Sequence, residues 1–105
     1  MDRRKAPRYA MRVPVLFRWT STEGIGHRTW GISRDVSSKG IFVYSSEAPP
    51  QTSLLAMELV LREPGEGGGG GVRLEASGQV VRVEATGFAV VLTGELTESP
   101  GAAVN

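Results

Sequence analysis

Arg34-Asp35-Val36-Ser37-Ser38-Lys39-Gly40-Ile41-Phe42-Val43 reads as a tight polar turn held between two apolar runs. Asp35 and Ser37 are two residues apart. On an extended backbone both side chains therefore leave the same face, one an anionic acceptor and the other a hydroxyl that can donate or accept. Gly40 is suited to the turn that sends the chain into Ile41, because only glycine takes positive φ without steric cost. The same residues also fit an ordinary β-turn in which Asp and Ser bond nearby backbone.

Working outward from this turn, the flanking sequence alternates with the period of strands. Met11, Val13, Val15, Phe17 and Trp19 share one face of a first strand, with Arg12, Pro14, Leu16 and Arg18 on the other. Pro14 has no backbone donor, which predicts that the strand lies on an edge or presents that position away from a ladder partner. Residues 27–36 form a second strand with Arg28, Trp30, Ile32, Arg34 and Val36 on one side, and residues 41–46 a third, stopped by Pro49-Pro50. Residues 54–62 alternate Leu55, Met57, Leu59 and Leu61 against their neighbours, which fits a strand, with a short helix competing because Leu, Met, Ala and Glu are good helix formers. The glycine-rich stretch 63–71 reads as a flexible hairpin loop. It is no phosphate loop, since Val72-Arg73 follows it where Lys-Ser or Lys-Thr would be needed.

Between residues 72 and 83 the apolar set changes phase. Val72, Leu74 and Ala76 are even, whereas Val81 and Val83 are odd, so a bulge near 78–80 would keep both sets inward. Phe88, Val90 and Leu92 are the last inward set, and residues 94–105 show neither period and are expected to be a disordered tail. Six short strands without a convincing amphipathic helix predict an all-β barrel or rolled sheet spanning 11–93, preceded by a basic arm, 1–10.

Composition narrows the function classes. A chain of 105 residues makes one domain with a modest core. With no cysteine and one histidine it holds neither disulfides, thiolate zinc sites nor a histidine-rich metal site. No apolar run reaches the ~20 residues that span a bilayer, and neither a membrane helix nor a signal peptide is expected. A reducing cytoplasm fits. Residues 1–12 hold Arg3, Arg4, Lys5, Arg8 and Arg12 against Asp2, leaving seven basic and ten acidic residues for the remainder. A basic arm on a slightly acidic body suits a small anionic ligand held in one place and disfavours polymeric nucleic acid, which needs a basic face. His27 has no nucleophile beside it and reads as a surface strand residue, so no enzyme is expected. Trp19 alternates with the core set, while Trp30 is open to either a core or a stacking role.

Arg4 and Arg8, with Pro7 between them, make an Arg-x-x-x-Arg arm, and Asp35, Ser37 and Gly40 make an Asp-x-Ser-x-x-Gly turn. This pairing resembles the PilZ domain family. The resemblance runs from about Arg3 to about Leu92 and includes Val80-Val81-Arg82-Val83 and residues 87–92, which look like that family's last two core strands. It implies an all-β, six- to seven-stranded antiparallel barrel with a flexible basic arm. It further implies a cytoplasmic receptor of bacterial signalling that binds cyclic di-GMP, with Arg4, Arg8, Asp35, Ser37 and Gly40 at the ligand-binding positions. The helix that many members carry after the last strand has no apolar spacing to match it here.

The residues suit that ligand. An arginine fork meets guanine O6 and N7 with two bonds, each good pair discriminating by about 1–3 kcal/mol. Asp35 can accept from the donors on guanine's other edge, with Ser37 available for a further bond. Arginine also matches phosphate geometry. Arg3 and Arg82 are weaker candidates, Arg82 only if its outward face lies beside the Asp35 turn. On this reading the arm closes over the barrel when ligand arrives and presents a changed surface to a downstream protein in trans, with no cofactor or metal. The alternative is a barrel that serves as a nucleotide-independent protein-interaction module.

Overall fold

The computed structural model describes residues 9–62, 65 and 70–98, and every regular element among them is a strand. In chain order these are β1 (Tyr9–Ala10), β2 (Pro14–Thr20), β3 (Gly26–Val36), β4 (Gly40–Tyr44), β5 (Leu54–Arg62), β6 (Val72–Glu84), β7 (Gly87–Leu92) and β8 (Thr97–Glu98). All pairings are antiparallel. The order β3-β2-β5-β6-β7-β4 closes through a β3–β4 pairing into a six-stranded barrel, with β1 added on β3 and β8 on β6. Closure removes the unpaired edges that an open sheet would expose.

Alternation explains most of the interior. Val15 and Phe17 from β2, Leu55, Met57 and Leu59 from β5, Ile41 and Val43 from β4, and Phe88 and Val90 from β7 meet with Val36, Ala76 and Val80 in one buried cluster. Phe88 meets Phe17 edge to face, ring centroids 4.9 Å apart. Residues 54–62 are a strand, as their alternation predicts.

Four expectations change. The first strand begins at Pro14, not Met11, and lies between β3 and β5 without being an edge. Of the two placements expected for Pro14 it is the second that holds: Pro14 is the strand's first residue and has no partner on β5, whose ladder starts only at Val15, opposite Leu59. The phase change in β6 is a register shift between Val80 and Arg82 against β7, later than 78–80. The shift does carry the inward face from Ala76 and Val80 on to Val83, since Val80 stands opposite Val90 and Val83 opposite Phe88; Val83, next to the last residue of β6, is nonetheless 44% exposed, and Val81, the extra residue, is 41% exposed. A second shift, between Val60 and Arg62 against β6, makes Leu61 an extra residue that is 39% exposed, off the face it was expected to share with Leu59. The fourth change is in the flanks. Tyr9–Ala10, read as part of the arm, and Thr97–Glu98, read as part of the tail, are both paired strands. The rest of the arm, residues 1–8, and the tail from 99 onward lie outside the described residues, as does most of the glycine-rich loop.

Candidate functional site

The site is built at the end of β3, where the strand carries one residue too many. Ser33 stands opposite Val43 and Asp35 opposite Phe42, so Arg34 is the extra residue of a bulge. The bulge changes the phase of the strand. Trp30 and Ile32 point outward and are about half exposed, whereas Val36 is buried, so the single face expected for Arg28 through Val36 is broken at Arg34.

Arg34 uses this position twice. Its Nε donates to Asp35 Oδ2 at 2.8 Å, and its guanidinium lies 4.1 Å from the centroid of the Phe42 ring. Phe42 is thereby buried on the outside of the barrel, apart from the central cluster. The Arg34 pKa is raised, first by the hydrogen bond to Asp35 and then by the charges of Asp35, Tyr44 and Glu84, against a desolvation that lowers it.

Ser33, just before the bulge, is fully buried and holds the start of the described chain. Its hydroxyl donates to the Met11 carbonyl and accepts from Val13 N at 3.0 Å. Met11 N donates to Arg34 O, and Ser33 N to Val13 O at 2.9 Å. Both β1 and β2 therefore run along the same side of β3 as one interrupted line, with the Ser33 hydroxyl filling the interruption. Tyr9 is set directly opposite Val36, and Ala10 opposite Asp35.

The turn from β3 to β4 is closed internally. Ser37 N donates to Gly40 O at 2.9 Å, and Ser37 Oγ accepts from Lys39 N and Gly40 N, both at 3.1 Å, while donating to Gly40 O at 3.3 Å. The hydroxyl's capacity is filled by the turn itself. Gly40 does not have positive φ; among described glycines only Gly24 and Gly65 do. A side chain is excluded for another reason. A Cβ at Gly40 would lie 2.7 Å from the Val90 carbonyl oxygen, because β4 and β7 pair closely there.

Arg82 lies on the row that starts at Asp35. Asp35 is opposite Phe42, Phe42 opposite Ala89, and Ala89 opposite Arg82, three strand steps that span about 14 Å. Its Nε is bonded to Glu84 at 2.6 Å. Arg3, Arg4 and Arg8 fall outside the described residues. Arg34 and Ser33 were not singled out from the sequence. Nothing in the order of residues marks either one, because neighbours on a regular strand face opposite sides and only the bulge brings Arg34 to Asp35. Trp19, expected in the core, packs against it.

A closed antiparallel barrel of this size, with a polar turn set against a short docked strand, defines a class of small all-β domain. The family model for the PilZ domain matches residues 2–100, nearly the whole chain, and the chain belongs to the PilZ domain family. Binding of cyclic di-GMP is the general property of that family, which is not a known catalytic one. A search of curated proteins found no match. No helix among the described residues is long and apolar enough to cross a membrane.

Proposed function

We propose that the protein is a receptor for cyclic di-GMP that grips the dinucleotide between the arm and the β3–β4 turn and passes the signal to a partner protein in trans. Arg4 and Arg8, with Arg3 assisting, supply guanidinium forks to guanine and phosphate, and Asp35 accepts from the guanine edge. Ser37 and Gly40 serve by holding the turn in shape. Arg82, on the Asp35 row, is the outer limit of the site.

The observation that carries this reading is the pairing of Tyr9 with Val36. Arg8 is bonded directly to a residue docked one position from Asp35 and one from Ser37. Arg4 is four residues further, within about 14 Å of Arg8 even when fully extended. Both arginines can therefore reach the turn without any strand moving.

A second reading, a nucleotide-independent interaction module, draws on the occupancy of the polar groups. Ser37 is fully bonded and the Asp35 carboxylate already holds Arg34. Isothermal titration of cyclic di-GMP into the full chain, with GTP and cyclic di-AMP as controls, separates the two. Saturable binding selective for cyclic di-GMP is the expected result. Absence of heat together with an unchanged melting temperature at high ligand concentration establishes the interaction module instead.

A further inference from the structure

The β2–β3 hairpin runs past the end of β4. On one side, β3 is paired with β2 over Gly26–Ile32 and with β1 at Asp35 and Val36. On the other side its ladder with β4 stops at Ile32, opposite Tyr44. Among the described residues, no strand lies beside Gly26 to Trp30 there.

The bonds at the two ends of the hairpin fix which backbone groups this leaves open. Ser21 N donates to Ile25 O at 2.8 Å, and Ser33 N to Val13 O at 2.9 Å. The register between them puts the odd-numbered residues of β3 in the hydrogen-bonded pairs with β2, so the even-numbered ones turn N–H and C=O the other way. Ile32 gives those groups to Tyr44, whereas Gly26, Arg28 and Trp30 share theirs with no described backbone. All three residues are exposed.

The side chains on this edge are cationic and aromatic. Arg28 and Trp30 stand on the outer face, Trp30 52% exposed, with Arg18 of β2 directly opposite Arg28. Opposed Cβ atoms lie about 5 Å apart, and like charges so placed are destabilising. Among the described residues neither guanidinium meets a carboxylate: the ion pairs there are Arg34–Asp35, Arg73–Glu58 and Arg82–Glu84.

We propose that the open edge of β3 takes an extended acidic segment of a partner protein as an added antiparallel strand, with a carboxylate opposite Arg28 and an apolar side chain opposite Trp30. Main-chain bonds supply affinity in such additions, and alternate side chains supply selectivity. The two recognised side chains fall two residues apart in the partner, on one face. Its carboxylate also relieves the repulsion between Arg18 and Arg28. Charge argues against occupants from this protein itself. The arm carries Arg3, Arg4, Lys5 and Arg8 against Asp2, and residues 99–105 hold no acidic side chain. A second copy pairing along the whole edge would set Arg28 against Arg28. The acidic loop 63–71 leaves β5 at Arg62, whereas the β5 residue on the row of His27 is Leu55, at the other end. Arg28 lies seven residues from Asp35, about 23 Å along the strand, so this edge does not rest on the cyclic di-GMP reading.

The test uses the full chain and capped peptides of sequence Thr-Ile-Thr-Glu-Thr-Glu, followed by NMR and amide hydrogen exchange. One peptide is unmodified, one is N-methylated at Ile and both Glu, one is N-methylated at the Thr residues, and one carries Lys for Glu. The unmodified and Thr-methylated peptides should shift the amides of 26–30 and the Trp30 indole saturably, with dissociation constants of about 1 mM or tighter. The other two should not, because one lacks the donors that face β3 and the other the charge. Arg28 and Trp30 amides should exchange fast in the free chain and slow down at saturation. Arg28→Gln should weaken binding by about two- to fivefold and melt at or above the wild-type temperature. Absence of saturable binding, equal binding of both methylated peptides, or affinity unchanged in Arg28→Gln overturns the proposal. So do Arg28 and Trp30 amides already slow in the free chain, or shifting on dilution, which would place this chain or a second copy on the edge.

Discussion

Arg34 and Asp35, adjacent in the chain, meet side chain to side chain on the outside of the barrel, with Arg34 Nε donating to Asp35 Oδ2 at 2.8 Å. Neighbours on an uninterrupted strand diverge. The bulge makes the contact possible, and the same arginine shields Phe42. Arg34→Ala should lower the melting temperature and expose Phe42. Folding raises the Arg34 pKa, so its contribution is complete below the unfolded value and is lost only as pH climbs through the still higher folded value. That window lies above the ordinary guanidinium range. The melting-temperature difference between wild type and Arg34→Ala should therefore be the same at about pH 7 and about pH 9. A difference that shrinks between them refutes this account.

Ser33→Ala removes the hydroxyl that bonds both Val13 N and Met11 O across the gap between β1 and β2. A buried donor or acceptor left unpaired costs about 1–3 kcal/mol. Each kcal/mol shifts the melting temperature of a domain this size by about 4–8 °C. Hydrogen exchange should locate the damage, with amides 9–13 exchanging faster and those of β6 and β7 exchanging as in the wild type relative to the global loss.

Gly40→Ala pushes a methyl group against the Val90 carbonyl oxygen, where an added Cβ lies 2.7 Å away. Backbone on the opposing strand cannot swing aside as a side chain would. A loss of about 1–3 kcal/mol is expected, as for other overpacked sites, with faster exchange across the β4–β7 ladder. At Gly24, by contrast, φ is +84° and nothing lies within 4 Å of an added Cβ. Gly24→Ala should cost about 1–2 kcal/mol from local backbone strain alone and leave the β4–β7 ladder untouched.

Arg8→Ala and Arg4→Ala should each weaken cyclic di-GMP binding by roughly 5- to 150-fold, the range of one lost bidentate contact. The melting temperature of the free protein should change by less than the affinity does, because among the described residues the buried cluster is assembled from residues 15–90. Unchanged affinity in both variants would remove the arm from the site.

Period-two alternation made the six barrel strands legible, since each buries one face. The interruptions were harder to read. A two-residue strand such as Tyr9–Ala10 is too short to show a period, and the β6 bulge falls later than its expected place because Val81 is apolar yet is the extra, exposed residue of the shift. At the site, the Asp-x-Ser-x-x-Gly spacing was visible but the reason for its glycine was not. Positive φ is a local property that sequence context suggests, whereas crowding by Val90 depends on which strand becomes the neighbour. Arg34 was hidden for the same cause, since its partners are chosen by a register shift that no single residue announces.

The turn's own bonding has a consequence for how readily the protein changes its response. Ser37 and Gly40 keep their shape through contacts within the turn and with β7. If Arg4 and Arg8 grip the ligand as proposed, the half of the site built by the turn is inherited with the barrel, and sensitivity to a signal can drift across generations through the arm while the turn stays intact.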